Sequence, residues 1–253
     1  VSLVPSVTET LFALGAGDEV VGATKFCVRP KGAMGHVLRV GGTKDPKVDA
    51  IIDLCPTLVF ANQEENRRED IERLREAGIE VHLSFPRTVA DVGSMISSIA
   101  GAVGRQGAGE AWAARLEDVA SRVCPLGDPS RADGPPVRFL VLIWRGPWMA
   151  ASSDTFLSSL LEAAGGVNAV NGAGGDRYPE VSFEDMDAWA PDLVLLPSEP
   201  YPFGLDHLDE LVRGTRIPRS RFVRCDGELL TWHGVRTAEG LLAARKWITN
   251  SDT

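Results

Sequence analysis

The sequence predicts an α/β protein of two similar lobes with mostly parallel sheets, joined through one long helix. Three observations carry this expectation. Short apolar runs alternate with helical patterns along most of the chain, as chained βαβ units require. Residues 49–64, DAIIDLCPTLVFANQE, align without gaps on residues 184–199, EDMDAWAPDLVLLPSE, at an offset of 135. Each block reads as a short helix, a proline, a strand and a loop carrying a glutamate, so one lobe is repeated. Between the blocks, Gly107 to Val123 stands apart as a helix, with Trp112, Leu116, Val119 and Val123 at helical spacing. The expected division is residues 1–106 as the first lobe, 107–124 as connecting helix and 125–253 as the second lobe. Within the last, 125–136 (PLGDPSRADGPP) reads as a polar linker.

Taken in order, Val1–Val4 is a buried-type strand. Ser6 or Thr8 suits the cap of a helix over Glu9 to Leu14, which Gly15 to Gly17 stops. Val20–Ala23 is the next strand. Val48 to Leu54 is a short helix ended by Pro56, and Leu58–Ala61 is a strand. Asn66 to Ala77 is an amphipathic helix with Ile71 and Leu74 inward and Gly78 as its C-cap. Ile79–Leu83 is a strand and Val89 to Val103 a helix. Beyond the linker, Val137–Trp144 is strongly strand-like, and Thr155 to Ala164 is a helix stopped by Gly165-Gly166. Glu184 to Ala190 is a short helix, Leu193–Leu196 and Phe222–Arg224 are strands, and Thr237 to Ile248 is the closing helix.

Composition narrows the function. The 253 residues include 26 basic and 35 acidic ones, a net charge of −9. The acidity is spread through the chain and no basic cluster opposes it. Nucleic acid and anionic membrane surfaces are therefore poor partners. No apolar run approaches the ~20 residues of a membrane span. The four cysteines, at 27, 55, 124 and 225, form no CxxC and have no histidine at ligand spacing. They read as buried thiols or as a single disulfide of unassigned pairing. No signal peptide is visible, and the first residue is Val1 in place of Met.

Enzyme signatures are missing. There is no P-loop, GxSxG, HExxH or kinase pattern. Gly15-Ala16-Gly17 ends a helix and does not follow a strand. Gly172 to Gly175 is a loop with no strand before it, and the four histidines, at 36, 82, 207 and 233, are far apart. What stands out is the content of the loops after strands, where parallel sheets hold ligands. The second strand leads into Thr24-Lys25-Phe26-Cys27, and the strand at Ile79–Leu83 into Ser84-Phe85-Pro86-Arg87. The second half supplies Trp144-Arg145-Gly146-Pro147-Trp148, Arg177-Tyr178-Pro179, Glu199 to Phe203, and Thr231-Trp232-His233. Large aromatics in loops suit a cleft that grips a flat or greasy ligand, with a few polar groups fixing its orientation.

The candidate ligand-binding residues are thus Lys25, Phe26, Phe85, Trp144, Arg145, Trp148, Arg177, Tyr178, Trp232 and His233. Trp112, Trp189 and Trp247 lie within helical patterns and are assigned to packing. Lys25, Arg145 and Arg177 serve either anionic ligand groups or loop anchoring. His233 serves either as a ligand to a metal centre carried in, or as a hydrogen-bonded structural histidine. Glu64, Glu65 and Glu69 stand before and on a helix start, where carboxylates also suit capping.

Several of these stretches resemble a known family. SLVPSVTETLFALGAGDEVVGATKFCVRP, VGGTKDP and CPTLVFANQEEN are similar to the first lobe of class III substrate-binding proteins of ABC importers. LLEAAGGVNAV, RYPEVSFEDM and APDLVLLPSEP resemble the second lobe. The resemblance covers nearly the whole chain. It implies two Rossmann-like lobes joined by one long α-helix, with a ligand between them. It also implies an iron–siderophore, haem or vitamin B12 as ligand, and a permease with its cytoplasmic ATPase as partner. Phe26 and Tyr178 stand where the vitamin B12-binding group has cage aromatics, whereas Asn62 stands where that group has a tryptophan. Docking carboxylates, one per lobe, fall on Glu184 and on Glu69, with Glu65 as the alternative.

The expected protein is a non-enzymatic monomer with no cofactor or metal of its own, either periplasmic or extracellular and membrane-anchored. A corrinoid is the first expectation for the ligand, favoured by the aromatic walls and His233. A ferric siderophore comes second, favoured if Lys25, Arg87, Arg145 and Arg177 converge on one anion. A cytosolic enzyme or sensor on the same scaffold, or a binder of free Zn or Mn, are the alternatives.

Overall fold

The computed structural model describes residues 1–123, 135–170 and 175–249. The expected linker falls almost wholly outside these residues, as do Cys124 and most of the Gly172–Gly175 loop. The chain divides into two compact units. The first takes Val1–Pro86, Ala90–Leu116 and His233–Arg236; the second takes Arg87–Val89, Glu117–Trp232 and the chain from Thr237. The return of four residues near the C-terminus to the first unit is not legible from the linear sequence.

In the first unit, α1 (Pro5–Ala13) is followed by the two-residue strands β1 (Gly22–Ala23) and β2 (Leu38–Arg39). Then come α2 (Val48–Asp53), β3 (Leu58–Asn62), α3 (Arg68–Glu76) and β4 (Glu80–Ser84). β1 pairs with β2 and β3 with β4, both parallel. Ser2 bridges Ala23 on one side and Phe60 on the other, again parallel. The expected first strand is thus narrowed to this bridging residue, which unites the pairs in one parallel array. Val1, Leu3, Val48, Ile51, Val59, Ile71 and Leu74 form a buried cluster.

Helix α1 starts earlier than the Ser6 or Thr8 cap implied. Pro5 takes the first helical position, where its fixed φ is pre-organised and its missing N–H costs nothing. Thr8 is released for another use: its Oγ1 stands 2.8 Å from Ser2 Oγ and 3.0 Å from Cys27 Sγ.

Two helices carry the chain onward, α4 (Val89–Ala102) and α5 (Gln106–Val123). At 18 residues, α5 is about 27 Å long. The boundary between units falls inside it, after Leu116. Trp112 is a packing residue, its Nε1 donating to the Ala13 carbonyl at 3.2 Å.

The second unit holds β5 (Arg138–Trp144), β6 (Met149–Ala150), α6 (Phe156–Ala163), β7 (Val167–Asn168), α7 (Phe183–Trp189) and β8 (Leu193–Pro197). It continues through α8 (Leu205–Gly214), β9 (Phe222–Cys225), α9 (Gly227–Thr231) and α10 (Thr237–Thr249). The sheet runs β6-β5-β8-β9, with β7 also paired to β5. All pairings are parallel except that of β6. Every residue of β8 is buried, as a strand covered on both faces must be. Leu140, Leu142, Met186, Val194, Leu196, Leu208, Leu211 and Phe222 build one core.

The duplication reaches the backbone. Among the described residues, only Cys55 (φ 46°) and Ala190 (φ 44°) are non-glycine residues with positive φ. They lie 135 positions apart, each between a helix and the proline that opens the next strand. Helices α1 and α6 also close alike. Ala16 N donates to Leu11 O and Gly15 N to Phe12 O; Gly166 N donates to Leu161 O and Gly165 N to Glu162 O. Both are Schellman closures.

Candidate functional site

Two surfaces meet the expectation of a ligand site, one in each unit, both at the carboxyl ends of parallel strands. In the first unit the loop after β1 is built from below. Cys27 is fully buried, its thiol 3.0 Å from Thr8 Oγ1 and 3.2 Å from Thr24 Oγ1. Burial pushes the thiol pKa up, so this cysteine is a packing group and a poor nucleophile. The Arg39 guanidinium donates to the carbonyls of Thr24 (2.9 Å) and Cys27 (2.8 Å). So anchored, the loop presents Phe26 at 51% exposure, with Lys25 Nζ 5.1 Å from its ring centroid. An exposed phenyl ring on a fixed loop is a contact surface with nothing of its own to cover. Phe85, after β4, is half-buried.

Behind this loop lies a buried polar network that joins the candidate His233 to Asn62. Asn62, ending β3, is 2% exposed. Its Oδ1 accepts from Glu64 N (2.8 Å) and Glu65 N (3.2 Å), and its Nδ2 lies 3.3 Å from both Ser84 Oγ and His233 Nε2. The other ring nitrogen of His233 is 3.2 Å from Ser6 Oγ. His233 is 6% exposed, and burial lowers its pKa to about 4. It is therefore a neutral, structural imidazole in the first unit, with both ring nitrogens engaged; it does not stand open to a metal centre. The segment is held further by Arg236, which pairs with Glu9, and by Gly234 at φ +99°. A Cβ on Gly234 would sit 2.3 Å from Thr10 Oγ1, so only glycine fits there.

In the second unit, Trp144 ends β5 at 43% exposure and meets Tyr201 edge-on at 5.3 Å. Tyr201 lies 4.9 Å from Phe203, and Phe203 is stacked on Trp148 at 6.0 Å, with 5° between the planes. Trp148 is half-buried against the unit's core, so it backs the aromatic shelf whose open edge is Trp144. Arg145 reaches across Trp148 (5.7 Å) and makes two 2.9 Å bonds to Glu210. Arg87 and Arg177 both pair with Asp154, which holds that carboxyl below its ordinary range. Tyr178 is half-buried, with the Arg177 guanidinium 5.8 Å over its ring. Within the second unit Arg87 and Arg177 thus meet on one carboxylate of the protein, Asp154, while Arg145 faces another, Glu210.

Trp232 is also internal, at 6% exposure. Its Nε1 donates to Glu199, which Thr231 Oγ1 approaches at 3.2 Å. Burial raises the Glu199 pKa. Trp232 does not stand in an open loop: it caps α9, and its indole N–H donates to the half-buried Glu199 carboxyl. Among the described residues, no three His, Cys, Asp or Glu side chains stand together to hold a metal ion.

A periplasmic binding protein family model matches residues 1–211. The chain belongs to the periplasmic binding protein family. It is 32% identical over 198 residues to a cobalamin-binding protein of Halobacterium salinarum, an alignment covering 77% of this chain and 52% of that protein. The chain thus spans about half the length of that relative. Among solved structures it is similar to the periplasmic heme-binding protein RhuT from Roseiflexus sp. RS-1, at 26% identity and a TM-score of 0.85, over 100% of this chain and 98% of that one. It shares the fold of the periplasmic vitamin B12-binding protein BtuF of Vibrio cholerae, at 19% identity and a TM-score of 0.80, over 100% and 96% of the two chains. The resemblance to class III substrate-binding proteins therefore holds at the level of family, and the expected α/β fold with mostly parallel sheets holds with it.

The resemblance points to docking carboxylates at helix starts, and the candidates Glu184 and Glu69 lie in the first turns of α7 and α3. Glu184 is exposed on α7, where Ser182 and Asp185 form the capping box and leave it uncommitted to the cap. Glu69 is exposed on α3, beside Asp70, which pairs with Arg67. Glu65 is half-buried, with its amide tied to Asn62. Helix α8 was not anticipated, because the run EPYPFG before it reads as loop. Its Leu205, Leu208, Leu211 and Val212 spacing was the available signal.

Proposed function

We propose that this chain captures a metal chelate for an ABC importer, and that the chelate is a corrinoid. The observation that carries the reading is the pairing of exposed aromatics with arginines already engaged by carboxylates of the protein. Phe26 and Trp144 are open at the carboxyl ends of their sheets, while Arg145 is engaged by Glu210, and Arg87 and Arg177 share the single carboxylate of Asp154. Such surfaces favour a large, apolar-faced ligand with a neutral amide rim over a polyanion. The 32% identity to a protein named for cobalamin binding supports the same reading. Haem is the second reading, supported by the 26% identity to RhuT. The proposed contacts are Lys25, Phe26 and Phe85 from the first unit and Trp144, Trp148 and Tyr178 from the second. Arg145 and Arg177 act by holding their loops.

Transfer to the permease uses surface carboxylates. The repeat supports a further candidate. Glu69 is the second residue of α3, which follows β3; Asp206, also exposed, is the second residue of α8, which follows β8. Asp206 thus joins Glu184 as a docking group of the second unit.

The test is equilibrium titration of the purified protein with cyanocobalamin, dicyanocobinamide, haemin and a panel of ferric siderophores, followed by visible absorbance and tryptophan fluorescence. A corrinoid is expected to bind tightest. Trp144→Ala should weaken that binding about tenfold or more, with folding stability lowered by no more than about 1.5 kcal/mol, the size of its aromatic contact. Binding of none of these ligands would overturn the reading.

A further inference from the structure

The loop joining β8 to α8 carries a tyrosine–histidine pair with a defined hydrogen-bond direction. His207 stands in the first turn of α8. Its Nδ1 lies 2.9 Å from the backbone N of Gly204. A backbone N–H only donates, so Nδ1 is the unprotonated, accepting nitrogen and the ring proton sits on Nε2. Nε2 lies 3.1 Å from Tyr201 Oη. It therefore donates, and the phenol oxygen accepts. Among the described residues His207 is the only hydrogen-bond partner of that hydroxyl, so the phenol proton is left to donate elsewhere. Tyr201 is half-buried and wedged between Trp144 at 5.3 Å and Phe203 at 4.9 Å. Its ring cannot swing without breaking both aromatic contacts and the bond to His207.

The equivalent loop of the first unit, between β3 and α3, contains no aromatic residue. Asn62 before it and Asn66 within it turn inward on the backbone. The second unit has thus placed, beside an exposed tryptophan, a rigid ring whose one polar atom is preset as a donor. A helix α8 face supports the shelf twice: His207 holds Tyr201, and Glu210, one turn on, holds Arg145 over Trp148.

Resting on the reading of this chain as a chelate-binding protein, we propose that Tyr201 is a specificity-determining ligand contact. Its hydroxyl donates to an oxygen on the chelate's rim, and His207 is the positioning residue that aims it. The oxygen is that of a carboxamide in a corrinoid or of a carboxylate in a haem. The donor is fixed in direction before the ligand arrives, so its ordering cost is met in the free protein.

The test compares wild type, Tyr201→Phe, His207→Ala and the double variant by titration with cyanocobalamin, dicyanocobinamide and haemin, with thermal melting of each free protein. Tyr201→Phe should bind the preferred probe about two- to tenfold more weakly, the range of one hydrogen bond, with the melting temperature lowered by no more than about 4 °C. His207→Ala should weaken binding by a similar factor. The double variant should bind no worse than Tyr201→Phe, since the histidine acts through the tyrosine. Wild-type binding that Tyr201→Phe leaves unchanged would overturn this inference while leaving the chelate reading intact. Losses that multiply in the double variant would overturn the positioning role. Absence of wild-type binding to every probe would instead overturn the reading on which the inference rests.

Discussion

His233 shows how one side chain couples folding to pH. Its folded pKa, lowered to about 4 by burial, lies below the ordinary value of about 6.5 for an exposed imidazole. Between these values the unfolded chain holds the proton and the folded chain does not, so stability rises with pH across that window. The contribution is complete above pH 6.5 and is lost as pH falls toward 4. It amounts to about 3 kcal/mol. Urea unfolding of wild type and His233→Gln at pH 7 and pH 4.5 checks this: the wild type should lose more stability than the variant on acidification. Parallel losses would place the imidazole in water. Glu199 has the opposite sign. Its raised pKa means that burial opposes its ionised form, and its contribution weakens as pH rises through the folded value. Both groups stood in loops rich in candidate ligand contacts. Sequence could name them but could not reveal that their polar atoms are turned to internal partners.

At the scale of elements, the repeated turn from helix to proline to strand is the most telling feature. Cys55 and Ala190 adopt a left-handed backbone at matching places, a conformation that costs an L-residue roughly 1–2 kcal/mol. Glycine relieves this strain but adds entropy to the unfolded chain. Ala190→Gly is therefore expected to be neutral to stabilising, by up to about 1 kcal/mol, in denaturant unfolding; a loss above that size would contradict the strain argument. Most helices and strands were legible from periodicity, because buried faces impose spacings of 3.6 or 2 residues. The elements that were missed, β2, β6, β7, α8 and α9, are short or follow runs of proline and glycine, where local signals favour loop. Helix starts shifted where a side chain found a better partner. Thr8 turned to Ser2 and Cys27, and Asn66, expected in a helix, accepts from Asn62 N at 2.8 Å while α3 starts only at Arg68.

At the scale of the whole molecule, the proposed docking role gives part of the acidic surface a specific use. If Glu69 and Asp206 are docking groups, Glu69→Lys and Asp206→Lys should each cut ligand uptake into vesicles carrying the cognate permease by about tenfold or more, leaving affinity for free ligand unchanged. Charge reversal at a rim contact acts on association and register and leaves the ligand's own contacts alone. Uptake at the wild-type rate in both variants would remove the assignment. Glu184→Lys, measured in parallel, tests the carboxylate that sequence alone singled out.

The fold class, the duplicated lobe, the connecting helix pattern and the family resemblance were all determined by sequence, because each rests on local periodicity or on motifs contiguous in the chain. Tertiary structure decided what depends on residues far apart. It returned His233–Arg236 to the first unit, where Ser6, Glu9 and Asn62 receive them. It also divided the loop aromatics into exposed surfaces, Phe26 and Trp144, and internal supports, Trp148 and Trp232. A side chain's chemistry is written in its type, but whether its polar atoms and apolar faces meet water, a ligand or the protein itself depends on which distant segments fold against it.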